Sequence, residues 1–424
     1  MKRSSLIIIA LILTTLMLFT ACGEEEKKSS GNENQDIPVI SSREELEKLY
    51  PDIDPAELDK LFPNDGPCTE HDFKVSTTSH TPSCRTITYV CQKCGTCKTE
   101  PSGKGHKMEK GKCTMCGIEE ATNLEFAPTA DGKAMEVIGL GRYAEHELIV
   151  PSTYEGKPVV AVSGLGNSDL KHVQIPDSVT KIGDRAFEYC EDLCYIVCPD
   201  TITEIGQCAF YDCRIYNFTI PKGVTKINIG TFYYCKMLFT VTLHENITEI
   251  GDSAFCFCYN LEKVVLPEKI DSIPDSAFYQ CESLTDIGSI KNIKHIARKA
   301  FDGCKKLNFT DMPAQPYTIG ESAFNSSGIT GMLLYDNIKT IPSYAFAHCD
   351  QLEEIILPEG VESIKEGAFT SCDKLVTITL PKSIKEVSEA CFDSCENLKT
   401  IYCLNSSISQ ESLTSGNNAT VIYQ

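Results

Sequence analysis

Apolar residues return with a fixed period along the carboxyl-terminal part of the chain. Each period reads L-x-x-I-x-L-P-x-x-V-x-x-I-G-x-x-A-F-x-x-C, with polar residues between the apolar ones. A fixed spacing of 22 or 23 residues separates successive copies of the phenylalanine, at Phe187, Phe210, Phe232, Phe255, Phe278, Phe301, Phe324, Phe346, Phe369 and Phe392. A period of this length predicts stacked structural repeats.

Each repeat contains signals for short strands. The L-x-x-I-x-L stretch predicts one strand, and the proline that follows marks its end because proline cannot donate to a strand ladder. The V-x-x-I-G stretch predicts a second strand, and A-F-x-x-C predicts a short helical turn. A unit this small cannot enclose its own core, so each repeat must bury its apolar side chains against its neighbours.

The repeat pattern resembles the BspA-type leucine-rich repeats of bacterial surface proteins over about residues 124–404. Proline, glycine, Ala-Phe and cysteine recur together, most clearly between Leu261 and Cys281. The resemblance implies a β-rich, right-handed leucine-rich repeat solenoid of stacked parallel strands with minor α content. It also implies an irregular amino-terminal cap from Leu124 to Gly166 and a binding function of the adhesin kind.

The amino terminus predicts export. Lys2 and Arg3 precede an apolar run from Leu6 to Phe19, which suits a signal peptide and is short for a membrane span. The run ends at Cys22 in a sequence that resembles a bacterial lipobox, which implies that Cys22 carries the lipid. Phe19 departs from the usual aliphatic residue of the lipobox, so secretion without a lipid is the alternative.

The remaining sequence divides into segments of different composition. A polar stretch after Cys22 predicts a disordered tether, and a capping box at Ser41 or Ser42 predicts a short helix. The predicted domains are a signal peptide at 1–21, a tether at 22–40, a short helical segment at 41–64, a Cys-rich zinc-ribbon-like module at 65–121, the solenoid with its amino-terminal cap at 122–404, and a C-terminal cap or tail at 405–424.

Two C-x-x-C-G knuckles lie in the Cys-rich module. Cys91 and Cys94 form the first, Cys113 and Cys116 form the second, and 18 residues separate them. This spacing is typical of four-Cys structural zinc sites, in which a closed sulfur shell leaves no position for a substrate. The alternate ligands are Cys68, His71 and His106. Disulfides formed after export and redox chemistry are the other interpretations of these cysteines.

Nine further cysteines share one repeat position, namely Cys190, Cys213, Cys235, Cys258, Cys281, Cys304, Cys349, Cys372 and Cys395. We expect a buried column of free thiols that behave as small apolar side chains. Neighbours in the column are close enough to form disulfides in principle. An obligatory set of bridges is disfavoured because Ser327 takes the tenth place and the number of cysteines is odd.

The net charge and the absence of catalytic motifs argue against several classes of function. The net charge of −20 argues against nucleic acid or an anionic membrane surface as partner. The chain has no G-x-S-x-G, H-E-x-x-H or phosphate-loop motif. The histidines outside the Cys-rich module take different repeat positions, so nothing sets one beside a nucleophile. We therefore predict a protein that is not an enzyme.

Residues that flank the central apolar residue of the first strand should point outward and form a continuous strip. The predicted strip consists of His172, Gln174, Tyr195, Val197, Thr240, Thr242, Lys263, Val265, Glu354, Ile356, Thr377 and Thr379, with Asn217, Thr219, Thr400 and Tyr402 at equivalent positions. These residues suit a long partner surface, although threonine and valine also serve strand propensity alone.

Two functions follow from these patterns. The favoured function is a lipid-anchored surface protein whose solenoid binds a protein or glycan, with no contact to the membrane other than its lipid. The alternative is an envelope scaffold whose C-x-x-C module handles metal or thiol–disulfide exchange.

Overall fold

The computed structural model describes residues 120–142, 145–309, 311 and 313–424, together with short strands between Phe73 and Cys113. The chain divides into two compact units, residues 1–73 with 91–96 and residues 74–90 with 97–424. The early strands are β1 (Phe73–Val75), β2 (Thr86–Cys91), β3 (Cys97–Pro101), β4 (Met108–Glu109) and β5 (Lys112–Cys113). Strands β2 and β3 are antiparallel, as are β4 and β5.

The solenoid begins with an irregular set of strands. These are β6 (Glu125–Pro128), β7 (Met135–Gly139), β8 (Glu147–Ile149), β9 (Thr153–Tyr154) and β10 (Lys157–Val162). Strands β6 and β7 form an antiparallel pair, and β9 pairs with β10 in the same way. Strand β10 is parallel to β7, which starts the parallel stack. This region coincides with the predicted amino-terminal cap.

Each following repeat forms one coil of the solenoid. In chain order the strands are β11 (His172–Gln174), β12 (Lys181–Ile182), β13 (Tyr195–Val197), β14 (Glu204–Ile205), β15 (Asn217–Thr219), β16 (Lys226–Ile227), β17 (Thr240–Thr242), β18 (Glu249–Ile250), β19 (Ser272–Ile273), β20 (His295–Ile296), β21 (Thr318–Ile319), β22 (Gly331–Leu333), β23 (Thr340–Ile341), β24 (Glu354–Ile356), β25 (Ser363–Ile364), β26 (Thr377–Leu380), β27 (Glu386–Val387) and β28 (Thr400–Cys403). A short helix α1 (Gln410–Thr414) and β29 (Thr420–Tyr423) follow within the predicted C-terminal cap or tail.

Both predicted strands of the repeat stack in parallel register. The first strand lies within the L-x-x-I-x-L residues, so Phe218 of β15 lies opposite Val241 of β17, and Ile378 of β26 opposite Ile401 of β28. In the coils that contain Lys263 and Asp286, isolated parallel bridges take the place of this strand. The second strand is two residues long, and Ile182 of β12 lies opposite Ile205 of β14. The parallel β-solenoid predicted from the sequence is therefore confirmed.

The A-F-x-x-C segments differ from the prediction of a helical turn. Arg185 and Tyr189 have φ angles of 53° and 59°, in the left-handed region, on either side of Ala186 and Phe187. The Phe187 N–H donates to the carbonyl of Ala209 in the next coil, at 2.8 Å. A left-handed residue on each side of the Ala-Phe pair interrupts a right-handed helix. The segment instead forms tight turns that are hydrogen-bonded from coil to coil.

The repeat phenylalanines form one column through the core. Every ring is almost completely buried, and the centroids of successive rings are 5.4–5.9 Å apart. The planes of successive rings lie within 15° of parallel. Each ring between the end rings Phe187 and Phe392 therefore packs against the ring before it and the ring after it, which holds neighbouring coils together.

The cysteine column runs beside the phenylalanines and is buried, as predicted. The thiol of Cys281 donates to the carbonyl oxygen of Phe255 in the preceding coil at 3.1 Å, and most of the column repeats this bond at 3.0–3.1 Å. All described cysteines are free thiols. Burial raises the pKa of Cys235 and Cys349 to about 12, which suppresses the reactive thiolate.

Candidate binding surface

The outward residues of the first strands form two parallel columns, which we call the strand columns. The first column precedes the central apolar residue of each strand and comprises His172, Tyr195, Asn217, Thr240, Lys263, Asp286, Gly331, Glu354, Thr377, Thr400 and Thr420. The second column follows that residue and comprises Gln174, Val197, Thr219, Thr242, Val265, Gly288, Leu333, Ile356, Thr379, Tyr402 and Ile422. Every member is half-buried or exposed, so the strip predicted from the sequence lies at the surface.

The amino-terminal end of the strand columns is aromatic. The rings of His172 and Tyr195 stack with their centroids 5.6 Å apart. Beside the columns, Tyr195 contacts Tyr216, with centroids 5.9 Å apart, and Tyr216 contacts Phe239, with centroids 6.3 Å apart. These rings present a firm amphipathic surface because aromatic side chains have few rotatable bonds.

The middle of the columns is polar. The Thr240 hydroxyl donates to Asn217 Oδ1 at 2.7 Å. Lys263 Nζ lies 2.7 Å from Asp286 Oδ2. The hydrogen bond from Lys263, aided by the backbone N–H of Gly288, lowers the pKa of Asp286 below its usual range. The Asp286 carboxylate therefore keeps its charge to a lower pH than an unpaired aspartate does.

The carboxyl-terminal part exposes apolar side chains. Ile356 is 64% exposed and lies opposite Leu333, which is 46% exposed, in the register of β22 and β24. Ile422 of the second column is 39% exposed, and Val376, next to the column residue Thr377, is 42% exposed. Single exposed apolar residues are ordinary on protein surfaces, but in-register neighbours form a patch of the kind that marks interaction sites.

Asp286, Leu333 and Ile422 belong to the columns but were missed in the sequence analysis. Leu333 takes the same position as Ile356, in a repeat where Tyr335 replaces the expected proline. Asp286 follows Leu284 at the position that Lys263 takes after Leu261. The spacing from the first leucine was thus sufficient to find both, whereas Ile422 lies after the last recognisable repeat.

The second strands carry a different surface. Lys181 pairs with Glu204 at 3.0 Å, Lys226 with Glu249 at 2.6 Å, and Lys365 with Glu386 at 2.9 Å, each between neighbouring coils. Exposed ion pairs of this kind contribute little stability, but their polar groups already have partners. The exposed apolar residues of the strand columns therefore make the better candidate for a binding surface.

Most residues of the predicted metal site lie outside the described part of the chain. Cys91 ends β2 and Cys113 ends β5, but their side chains are not described. Cys94, Cys116, the alternates Cys68, His71 and His106, and the predicted lipid site Cys22 fall outside the described residues. Among the described residues, no cluster of His, Cys, Asp or Glu side chains could hold a metal ion.

Histidines of the solenoid contact backbone or hydroxyl groups. His146 Nδ1 lies 2.8 Å from the Asp169 carbonyl, and His244 Nε2 lies 2.9 Å from the Pro221 carbonyl. His295 Nδ1 lies 3.0 Å from Thr318 Oγ1.

None of the described helices is long and apolar enough to span a membrane.

Comparisons with known proteins agree with the architecture. The family model "BspA type Leucine rich repeat region" matches residues 164–285 and 271–399 in six copies. No curated protein matches the chain. Among solved structures, a leucine rich repeat protein of T. pallidum is 28% identical, with 45% of this chain and 91% of that chain covered and a TM-score of 0.41.

Two other solved structures are similar. A leucine rich cell surface protein of Faecalibacterium prausnitzii is 24% identical, covers 71% of this chain and 98% of its own, and has a TM-score of 0.43. A leucine-rich repeat protein of Bacteroides ovatus is 23% identical, covers 71% of this chain and 99% of its own, and has a TM-score of 0.42. The family model covers more than half of the residues of this chain. The chain therefore belongs to the BspA-type leucine-rich repeat family.

Proposed function

We propose that the protein is exported to the surface of a bacterial cell, is anchored there through a lipid on Cys22, and binds an extracellular protein or glycan without catalysing a reaction. The family and the cell-surface relative of Faecalibacterium prausnitzii support the location. The observation that carries the binding function is the exposed pair Ile356 and Leu333 within the strand columns.

The geometry of the columns fits an extended partner. Successive parallel strands lie about 4.8 Å apart, so side chains of the same column repeat at that interval from coil to coil. The aromatic, polar and apolar parts follow one another along the columns, which gives a partner different chemistry at each point. Such a surface binds by complementarity over many coils, with a few apolar anchors contributing most of the free energy.

We expect Ile356→Thr to weaken partner binding by about tenfold, because an exposed apolar anchor that becomes buried in a complex typically contributes more than about 1 kcal/mol. The measurement is binding of the purified full chain to a panel of immobilised extracellular glycoproteins, before and after enzymatic removal of their glycans. Loss of binding after removal identifies a glycan as the ligand, and retained binding identifies a protein.

The matched control is Ile138→Thr. Ile138 is also an exposed strand isoleucine, at 44%, but it belongs to β7 and not to the strand columns. Both substitutions should leave the melting temperature nearly unchanged, because both side chains are largely exposed. Equal binding by the wild-type chain and Ile356→Thr would remove the strand columns as the binding surface.

Anchoring through Cys22 has a direct consequence. Replacing Cys22 with Ala removes the only thiol that the lipobox-like sequence offers for acylation. We expect the protein to leave the membrane fraction and to partition into the aqueous phase of a detergent extraction, since a lipid chain contributes about 0.8 kcal/mol of membrane affinity per buried CH₂. Unchanged partitioning of this variant would reject the lipid anchor.

We also propose that the Cys-rich module holds one structural zinc ion through Cys91, Cys94, Cys113 and Cys116. The spacing supports this set because two residues separate the cysteines within each knuckle and 18 residues separate the knuckles. A tetrahedral ion closed by four thiolates would staple this small module.

Zinc content tests the metal proposal. Metal analysis of the full chain purified under reducing conditions should give about one zinc per chain, and Cys91→Ser should abolish it because three thiolates hold the ion far less tightly. The melting transition of the solenoid should be the same in both proteins. Zinc-free wild-type protein that forms disulfides on oxidation would favour thiol chemistry instead.

A further inference from the structure

A band of aromatic side chains crosses the turns that follow the repeat phenylalanines, apart from the strand columns. We call it the aromatic band, and it consists of Tyr189, Tyr211, Tyr233, Tyr234, Phe257, Tyr259 and Tyr279. Their rings form an unbroken chain of contacts over five successive coils, with centroids 5.0–6.4 Å apart. Tyr189 is 42% exposed and the other six rings are half-buried.

The fold does not require these rings. In the next five coils the two positions after the phenylalanine carry Asp302, Gly303, Asn325, Ser326, Ala347, His348, Thr370, Ser371, Asp393 and Ser394. These turns make the same bonds to the next coil. The N–H of Ser326 donates to the carbonyl of Ala347 at 2.7 Å, as the N–H of Phe257 donates to Tyr279 at 2.7 Å. A feature that half of the coils lack is not needed to build a coil.

The backbone conformation of the band also indicates that the fold does not require its aromatic side chains. Tyr189, Tyr234 and Phe257 have φ angles of 59°, 64° and 60°. Bulky residues rarely adopt this left-handed conformation, in which glycine, asparagine and small polar residues are less strained. The equivalent residue outside the band is glycine or serine in four coils, at Gly303, Ser326, Ser371 and Ser394, and His348 in the fifth. Aromatic residues at strained, partly exposed positions indicate a role other than stability.

The charges around the band indicate what it binds. Lys236 Nζ lies 4.0 Å from the centroid of the Tyr234 ring and 3.6 Å from Asp212 Oδ1. This contact shows that a band ring takes a cation on its face with a carboxylate beside it. The turn segments 184–192, 207–214, 229–237, 252–260 and 275–283 contain eight Asp and Glu against three Lys and Arg. Lys299 Nζ lies 5.5 Å from the centroid of the Tyr279 ring, at the carboxyl-terminal end of the band.

From these observations we propose that the aromatic band is a second interaction surface, which binds an arginine-bearing segment of a partner protein. A guanidinium is planar and weakly hydrated, so it stacks on tyrosine and phenylalanine more readily than a lysine ammonium does. Four of the eight acidic side chains, Glu188, Asp212, Asp275 and Glu282, pair with Arg185, Lys236, Arg298 and Lys305. The other four, Asp184, Glu191, Asp192 and Asp252, attract such a segment and pair with guanidinium groups that reach past the rings. The proposal does not depend on the strand columns.

Hexa-arginine peptide is the probe that tests this surface. We expect the double variant Tyr234→Ser with Phe257→Ser to bind it about tenfold more weakly than the wild-type chain, in calorimetry at physiological ionic strength. Serine is the natural residue at this position in Ser326, Ser371 and Ser394, so the double variant should fold and melt like the wild type. The substitutions do not change the net charge, so non-specific attraction to an acidic protein stays the same.

The matched control is Tyr344→Ser. Tyr344 is another exposed tyrosine with left-handed φ, 55°, but its hydroxyl donates to Glu366 and it lies outside the band. Its substitution should leave hexa-arginine affinity unchanged. Equal affinity of the wild-type chain and the double variant would overturn the proposal. The neutral sugar cellohexaose provides a further comparison. If the wild-type chain bound cellohexaose and the double variant did not, while both bound hexa-arginine equally, the band would be a glycan site instead.

Discussion

Replacing Phe278 with Ala should destabilise the solenoid by about 3–5 kcal/mol, the usual cost of removing a fully buried aromatic ring. The Phe278 ring is completely buried, with ring centroids 5.4 Å away at Phe255 and 5.6 Å away at Phe301. The cavity would therefore weaken the contacts on both sides of a central coil. Chemical denaturation followed by circular dichroism measures the change.

Two control proteins separate this effect from general damage. Phe392→Ala removes a ring that contacts the repeat phenylalanine column only at Phe369, at 5.7 Å, so we expect local fraying near that end and a smaller loss. Changing Thr242, Lys263 and Val265 together to serine alters only exposed side chains and should change stability little. If Phe278→Ala melted like this surface variant, the phenylalanine column could not be the core of the stack.

The core was predictable because every repeat places an apolar residue at the same position, so the copies support one another. Ten copies of one spacing identify Phe278 and its equivalents as buried even when single copies vary, as Ser327 does in the cysteine column. The conformation of the turns was not predictable in this way. A short A-F-x-x-C segment suits a helical turn locally, and the bond from Phe187 N–H to Ala209 in the next coil decides otherwise.

Surface features depend on differences between repeats, which a consensus hides. The two positions after the phenylalanine are variable letters in the pattern, so Tyr234 and Phe257 gave no periodic signal. Their contact becomes apparent only when the coils are stacked, with the two ring centroids 5.5 Å apart. The ion pair between Lys263 and Asp286 was also missed, because the two residues take a position that is a variable letter in the pattern, although they lie one repeat apart.

Gly164 offers a sharp test of the amino-terminal cap. Its φ angle is 64°, and a Cβ added there would collide with the carbonyl oxygen of Ile138 in the backbone of β7. The chain on either side is held in place, because Ser163 N–H donates to the Val137 carbonyl and Leu165 N–H to the Ala186 carbonyl, both at 2.8 Å. We expect Gly164→Ala to destabilise the solenoid by about 2–5 kcal/mol, from left-handed strain plus overpacking.

Gly156→Ala is the matched control for this substitution. Gly156 has a φ angle of 77°, but a Cβ there would meet no atom within 4 Å. Its replacement should therefore cost only the left-handed strain, about 1–2 kcal/mol. The difference between the two variants, measured by denaturation of the full chain, isolates the collision with Ile138. Equal costs would mean that β7 is not packed against the start of the first coil, and the first repeat would then need another segment to cover its apolar face.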